Sequence, residues 1–223
     1  QDCRACRWRC VFWTRMLLTM NKLSEYLNGL HNDVSEDRKE VLRPLIEYIS
    51  TRQLANETCS LNFICTHNAR RSHMAQLWAA AAASHSNLAG MEFYSGGVEV
   101  TRFHQNAIDS MKRAGFEISS DDEGTENPVY MYQVSDANML ELFSKRFDDD
   151  ANPQSNFAAV MVCSDADLNC PFVPGADKRI SVTYDDPKAG DGTAQVAQVY
   201  DERSRQIASE LLFVMQEVSR RID

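Results

Sequence analysis

The run from Cys65 to Ser72 combines a thiol, two arginines and a hydroxyl at a spacing that suits oxyanion chemistry. An apolar run at 61–64 precedes it and a helix-forming run at 72–83 follows, so the cysteine lies in a strand-to-helix loop. Unpaired backbone N–H groups and the dipole at a helix N-terminus attract negative charge. The pattern therefore predicts an oxyanion-binding loop that consists of Thr66, His67, Asn68, Ala69, Arg70, Arg71 and Ser72.

Cys65 is the predicted nucleophile of this loop. The positive field at the helix N-terminus favours its thiolate form, and the Ser72 hydroxyl can hydrogen-bond the sulfur. Arg71 adds a planar fork that binds two oxyanion oxygens at once. The alternative is a buried structural thiol, which would leave Arg71 and Ser72 without a role. The same spacing recurs from Cys3 to Arg9, but no strand precedes that copy and no helix-forming run follows it.

Two further thiols follow a second buried strand. Cys163 ends the apolar run 158–163, and Cys170 comes seven residues later. Two thiols a short loop apart can relay a disulfide, since one sulfur attacks and the other resolves. Two unrelated free cysteines are the alternative. Beside a nucleophilic Cys65, the relay is the favoured interpretation.

A candidate proton donor follows a further strand-like run at 180–184. Asp185 and Asp186 stand there, directly before Pro187. An aspartate on a loop can protonate a leaving oxygen, although a turn or helix-capping role is common for such a residue. Its place after a strand favours catalysis, and its position next to Pro187 favours Asp186 over Asp185.

Strand-like and helix-like runs alternate from residue 59 onward, which predicts an α/β fold with a doubly wound, four-stranded parallel sheet flanked by helices. Ligands of such sheets bind beyond the carboxyl ends of the strands, so Cys65, Cys163 and Asp186 are expected at one edge. The strand-like runs are 61–65, 92–95, 158–163 and 180–184, and the helical runs are 72–83, 104–114 and 196–222.

The polar stretch 119–157 is predicted to form long connections with one short helix near 138–146. Its acidic runs at 121–123 and 148–150 are interpreted as solvated surface rather than as a metal site. No metal and no cofactor is predicted for the chain.

The chain divides into three predicted parts: a leader at 1–19, a helical extension at 20–58 and the α/β domain at 59–223. The leader carries four arginines, one acid and three cysteines, and is interpreted as non-native or disordered. A zinc site on its three cysteines would lack a fourth ligand. In the extension, Ser35 suits a helix start, and Pro44 predicts a kink or a later start.

Composition narrows the class of protein. The chain has 223 residues, of which 43% are hydrophobic, and its net charge is −9. The acidic balance argues against nucleic acid as a partner, and no apolar run reaches the ~20 residues of a membrane helix. Seven cysteines, an odd number in a chain of this size, argue against a disulfide framework and favour the reducing cytoplasm.

The run from Cys65 to Ser72, together with Asp186-Pro187, resembles the low-molecular-weight protein tyrosine phosphatases. The run 163–171, Cys-Ser-Asp-Ala-Asp-Leu-Asn-Cys-Pro, is similar to that of the thioredoxin-coupled arsenate reductases built on the same fold. The resemblance covers roughly residues 59–222.

The resemblance implies a three-cysteine mechanism. Cys65 would attack arsenate held by the loop and Arg71, and Asp186 would protonate the departing oxygen. Cys163 would then attack Cys65 and release arsenite, and Cys170 would resolve the disulfide for reduction by thioredoxin. In the same scheme, Asn68 and Ser72 brace the loop and support the thiolate.

The same residues also fit two other functions. One is a phosphatase that acts on phosphotyrosine or a small phosphoester through a Cys65 phosphoenzyme. Tyrosine phosphatases of this fold usually have tyrosine after the Asp-Pro pair, where Lys188 stands here. A non-catalytic oxyanion-binding or redox-sensing module is the third hypothesis, motivated by the extension and by His67, which replaces the usual glycine. Arg70 likewise replaces a common cysteine.

Overall fold

A computed structural model describes residues 22–30, 34–135, 138–169 and 172–222. The strands in these ranges are β1 (Cys59–Cys65), β2 (Met91–Gly97), β3 (Ile118–Ser119), β4 (Tyr130–Ser135), β5 (Asn138–Leu142), β6 (Phe157–Met161) and β7 (Ala176–Ser181). They form two sheets, one parallel and four-stranded in the order β2-β1-β6-β7, the other antiparallel in the order β3-β4-β5. The parallel sheet confirms the predicted fold class.

Helices flank the parallel sheet. They are α1 (22–28), α2 (Glu36–Leu54), α3 (Arg71–His85), α4 (Gln105–Ala114), α5 (Ser164–Asn169) and α6 (Val196–Ile222), with a 3₁₀ helix at Pro187–Gly190. The longest of them, α6, packs against α2, α3 and α4. No helix in the described ranges is both long enough and apolar enough to cross a membrane.

Strand β1 is the centre of the parallel sheet and is buried along its whole length. It pairs with β2 on one side and with β6 on the other, so that Ile64 lies beside Gly96 and Met161. Because all three strands run in the same direction, their carboxyl ends meet at one edge of the sheet. This register places the residues that follow Cys65 and Met161 next to each other.

Helix α3 is buried from Arg71 to Ala83, since it lies between the sheet and α6. The five small side chains at 79–83 allow close approach of the neighbouring backbone. Trp78 anchors the same helix, because its indole N–H donates to Ser204 Oγ of α6 at 2.9 Å. The beginning of α3, where the predicted oxyanion loop ends, is therefore held rigidly against the core.

The predicted helix start at Ser35 is confirmed, since its hydroxyl accepts the Arg38 N–H at 3.4 Å as the cap of α2. The later start suggested by Pro44 is wrong, because α2 begins at Glu36 and Pro44 lies inside it. Arg38 also donates to both carboxylate oxygens of Glu210 on α6, at 2.9 and 2.7 Å. The leader at 1–19 lies outside the described residues.

The helix predicted near 138–146 is wrong, because β5 occupies the first part of this range. Tyr130 pairs with Leu142 and Tyr132 with Leu140, and all four side chains are buried. Their spacing of two is the period of a strand with one buried face. The acidic residues around this segment obscured the alternation in the sequence.

The segment after β5 continues along the open edge of β2, where Lys145 O accepts from Gly97 N at 2.8 Å. The Lys145 side chain is only 3% exposed, and burial lowers the pKa of its ammonium to about 8. In the unfolded chain the ammonium has the ordinary lysine pKa of 10.5. The unfolded state therefore binds more protons between these values, and folding stability must rise with pH across this window.

We expect Lys145→Met to remove this pH dependence. Relative to the variant, the free energy of unfolding of the wild type should increase by ~2 kcal/mol between about pH 7 and about pH 10. Urea unfolding of both proteins across this range measures the difference. If the difference in the free energy of unfolding between the two proteins were the same at every pH, the Lys145 ammonium would not be desolvated.

Candidate active site

The predicted oxyanion loop lies between β1 and α3 and turns sharply at Asn68. Asn68 has φ +43°, in the left-handed region that asparagine tolerates better than most residues. Gly97 at the end of β2 lies against this turn, and a Cβ there would approach Asn68 N to 2.7 Å. A side chain at position 97 would therefore displace the loop.

A chain of hydrogen bonds orients the Cys65 thiol. Lys145 N–H donates to Asn68 Oδ1 at 2.9 Å, which leaves the Asn68 amide N–H to donate to Ser72 Oγ at 2.8 Å. Since Ser72 accepts this bond, its own proton is free to donate to Cys65 Sγ, 3.1 Å away. The Ser72 hydroxyl is thus directed at the Cys65 sulfur, as the predicted role of this thiol as the nucleophile of the loop requires.

Arg71 is the first residue of α3 and is buried. Its guanidinium donates to the Tyr184 carbonyl oxygen at 3.0 Å and to Asp186 Oδ2 at 2.6 Å. The predicted anion fork and the predicted proton donor are thus in direct contact. Asp186 also accepts the Lys188 N–H at 3.0 Å and caps the 3₁₀ helix, so the capping role foreseen as an alternative coexists with the pairing to Arg71.

Asp185, the neighbouring candidate, is directed away from the loop. It pairs with Arg203 of α6 at 3.1 Å, and its side chain is 94% exposed. The geometry therefore favours Asp186 as the acid of the site. Strand β7 ends at Ser181 rather than at the predicted 184, although the chain still follows β6, since Tyr184 N donates to Val162 O at 3.2 Å.

Cys163 lies beside the oxyanion loop, as its position after β6 predicts. Its sulfur is 3.4 Å from Thr66 Oγ1 and accepts the Ala166 N–H of α5 at 3.3 Å. The Cys163 thiol is fully buried. Cys170, its predicted partner, lies outside the described residues, so the pairing of these two thiols remains a prediction.

The Arg70 side chain takes part in a network that the sequence did not indicate. Its guanidinium donates to Tyr200 OH at 2.7 Å and to Asp191 Oδ2 at 2.8 Å. Tyr200 and Asn106 also donate to Asp191, each at 2.8 Å. The side chain thus fastens the loop to the segment that follows Asp186, while its backbone N–H stays in the oxyanion loop.

The remaining loop residues are held mainly through their backbone. His67 O accepts from Thr101 Oγ1 at 2.9 Å and from Ser144 Oγ at 3.1 Å, and Ala69 O accepts from His104 N at 2.9 Å. The imidazole of His67 lies 3.4 Å from a Glu99 carboxylate oxygen. The His67 ring therefore contacts Glu99 at the rim of the loop.

This site brings together the predicted nucleophile Cys65, the Arg71 guanidinium and the Asp186 carboxyl group at one edge of a parallel sheet. Such a set can form a covalent bond to a tetrahedral oxyanion and protonate its leaving oxygen. Together, the sheet and the loop define the low-molecular-weight phosphatase class of α/β fold.

Two comparisons with curated proteins place the chain more closely. It is 34% identical to arsenate reductase 2 of Staphylococcus epidermidis over 152 residues, and the aligned region covers 67% of this chain and 94% of that protein. It is 32% identical over 143 residues to arsenate reductase of Staphylococcus aureus strain Newman, covering 64% and 88%. The chain belongs to the arsenate reductase family, which confirms the resemblance found in its sequence.

No protein-family model matches the chain. Among solved structures, arsenate reductase from Archaeoglobus fulgidus superposes with a TM-score of 0.42 at 18% identity, covering 68% of this chain and 98% of that one. The family assignment rests on the sequence relatives and not on this superposition.

Removing the Asp191 charge should destabilise the fold. Asp191→Asn leaves the mostly buried Arg70 guanidinium without its anion, and we expect a loss of ~1–3 kcal/mol in the free energy of unfolding. Asp148→Asn is the matched control, because Asp148 pairs with Arg146 on the surface and its loss should cost under ~0.5 kcal/mol. Urea unfolding measures the free energy of unfolding of both variants. Equal losses in the two variants would contradict the role of the Arg70–Asp191 ion pair in holding the fold together.

Proposed function

We propose that this protein reduces arsenate to arsenite through Cys65, Cys163 and Cys170. The observation that carries the proposal is the contact of Cys163 with Thr66 at 3.4 Å, one residue from the nucleophile. A phosphatase of the same fold needs only the loop, Arg71 and Asp186, whereas a second thiol beside the loop supplies the electrons for a reduction. The curated relatives bear the name arsenate reductase.

In the first step, arsenate is bound by the backbone N–H groups of the loop and by Arg71. The Cys65 thiolate attacks arsenic, so that a sulfur–arsenic bond forms and an arsenic–oxygen bond breaks. Asp186 pairs with the Arg71 guanidinium at 2.6 Å in the free protein. When Arg71 turns to the arsenate oxygens, Asp186 takes up a proton from solvent and gives it to the departing oxygen, which leaves as water. The Ser72 hydroxyl stabilises the Cys65 thiolate before the attack.

In the second step, the Cys163 thiolate attacks the sulfur of Cys65. A disulfide forms between them while the sulfur–arsenic bond breaks, and its electron pair reduces arsenic from the +5 to the +3 state. Arsenite leaves. The N–H of Ala166, which donates to Cys163 Sγ at 3.3 Å, stabilises negative charge on the attacking sulfur.

In the third step, the Cys170 thiolate attacks the sulfur of Cys163 and releases Cys65 as a thiolate. The resulting disulfide between Cys163 and Cys170 is then reduced by a thioredoxin-type dithiol. Leu168 and Phe172 flank Cys170 and are 79% and 74% exposed, which offers an apolar surface to a protein reductant. Three free thiols in one cycle require a reducing compartment such as the cytoplasm.

Hydrolysis of phosphoesters is the second candidate function, because Cys65, Arg71 and Asp186 suffice for a covalent phosphoenzyme. Lys188 and Ala189 follow the Asp-Pro pair, so no aromatic side chain stands there to hold a phosphotyrosine ring. We therefore expect only a weak activity on simple aryl phosphates, which shares its first step with arsenate reduction.

Cys163→Ser separates the two reactions. Arsenate-dependent NADPH oxidation, coupled through thioredoxin and thioredoxin reductase, should fall at least about a hundredfold in the variant, since no thiol remains to attack Cys65. Hydrolysis of an aryl phosphate should survive, because it does not use Cys163. Cys65→Ser should abolish both.

Cys59→Ala is the control for the loss of a buried thiol, because Cys59 lies at the opposite end of β1 from the loop. It should retain both activities. Arsenate turnover that persists in Cys163→Ser, or a wild type that hydrolyses aryl phosphate but never turns over arsenate, would overturn the proposal.

A further inference from the structure

A cavity of about 290 Å³ lies at the outer edge of β2, away from Cys65. Strand β2 is an edge strand of the parallel sheet. The cavity opens between β2, α3, and β5 with the chain that follows it. None of Cys65, Arg71, Cys163 and Asp186 lines it. Its walls are therefore not explained by the proposed reaction.

One wall of the cavity is apolar, whereas polar groups make up the larger part of its accessible surface. Met91, Phe93 and Leu140 are buried in the apolar wall, and Phe143 lies beside them. A concave site of this volume suits a small metabolite rather than a cofactor. The apolar wall predicts that one part of the ligand is a hydrocarbon or aromatic group.

Lys145 supplies a single buried positive charge to this cavity. Its ammonium lies 4.4 Å from the centre of the Phe143 ring. No ion pair joins it to a carboxylate of the described residues, although Glu141 and Asp149 are near enough to favour its charge. A buried ammonium is costly without an ion partner, so this one is suited to receive a carboxylate from a ligand.

Gln76 adds an unused acceptor on the α3 side of the cavity. Its side chain is 2% exposed, and its amide N–H donates to the Phe93 carbonyl oxygen at 2.9 Å. This bond fixes the amide orientation, and Gln76 Oε1 has no hydrogen-bond partner among the described residues. A buried acceptor left unpaired costs free energy, and because Oε1 is covered, a donor on a ligand would recover this free energy once the side chain shifts towards the cavity.

The rim carries the exposed carboxylates Glu92 and Glu141. A simple anion would meet their repulsion, and a simple cation would meet the repulsion of Lys145. A zwitterion with an apolar body satisfies all of these groups at once. We propose that the cavity is a binding site for an apolar α-amino acid.

In this site the ligand carboxylate pairs with Lys145, and the ligand ammonium faces the rim carboxylates on the side of the cavity where Gln76 lies. The apolar side chain packs against Phe93 and Phe143. The inference does not depend on arsenate reduction, because the test measures binding and not turnover.

The test is calorimetric titration of the full chain with L-phenylalanine and L-leucine, with phosphate present to fill the oxyanion loop. We expect saturable binding of both. Phenethylamine lacks the carboxylate, 3-phenylpropionate lacks the ammonium and glycine lacks the apolar body, and each should bind at least about tenfold more weakly. Displacement of L-phenylalanine by rising phosphate would place it in the oxyanion loop and overturn the proposal.

Lys145→Met should weaken the binding of L-phenylalanine at least about tenfold, because it keeps the length of the side chain and removes its charge. Lys112→Met changes an exposed lysine on α4 and should bind as the wild type does. Circular dichroism checks that both variants fold. Unchanged affinity in a folded Lys145→Met, or no saturable binding of either amino acid by the wild type at millimolar concentration, would overturn the site.

Discussion

The conformation of the predicted oxyanion loop depends on the side chain of Asn68, whose two polar atoms bind parts of the chain that are far apart in sequence. Its oxygen accepts the Lys145 N–H, and its amide group donates to Ser72, which in turn contacts the Cys65 sulfur. Because asparagine tolerates the left-handed backbone at this point, one residue both turns the loop and orients the thiol. The Cys65 sulfur is thus positioned by the loop itself and by the segment that follows β5.

Two adjacent arginines with different partners assemble the rest of the site. Arg71 pairs with Asp186, and Arg70 pairs with Asp191 five residues further on, so both ends of one segment are fastened to the oxyanion loop. The chain as a whole carries a net charge of −9. An anion at the predicted oxyanion loop would therefore be held by these local positive groups and the loop N–H groups rather than by the overall field.

The antiparallel sheet β3-β4-β5 was not foreseen, yet its continuation supports both the loop and the proposed amino-acid site. Ser144 donates to His67 O, and the Lys145 backbone holds Asn68 while its side chain enters the cavity. The alternation of Tyr130, Tyr132, Leu140 and Leu142 is a strand pattern, but it is short and set among polar and acidic residues. Local periodicity alone could not show that these strands would pair.

The sequence by itself determined the parallel α/β sheet, the strand-loop-helix around Cys65, and the arrival of Cys163 and Asp186 at the same edge. These follow from local spacing, burial and the rule that parallel strands end together. Only the tertiary structure decided that Arg70 binds Asp191 and Tyr200, that Arg71 meets Asp186, and that Lys145 and Gln76 share a cavity. Such contacts join residues that are distant along the chain, and side-chain packing between elements, which no local pattern encodes, selects the partners.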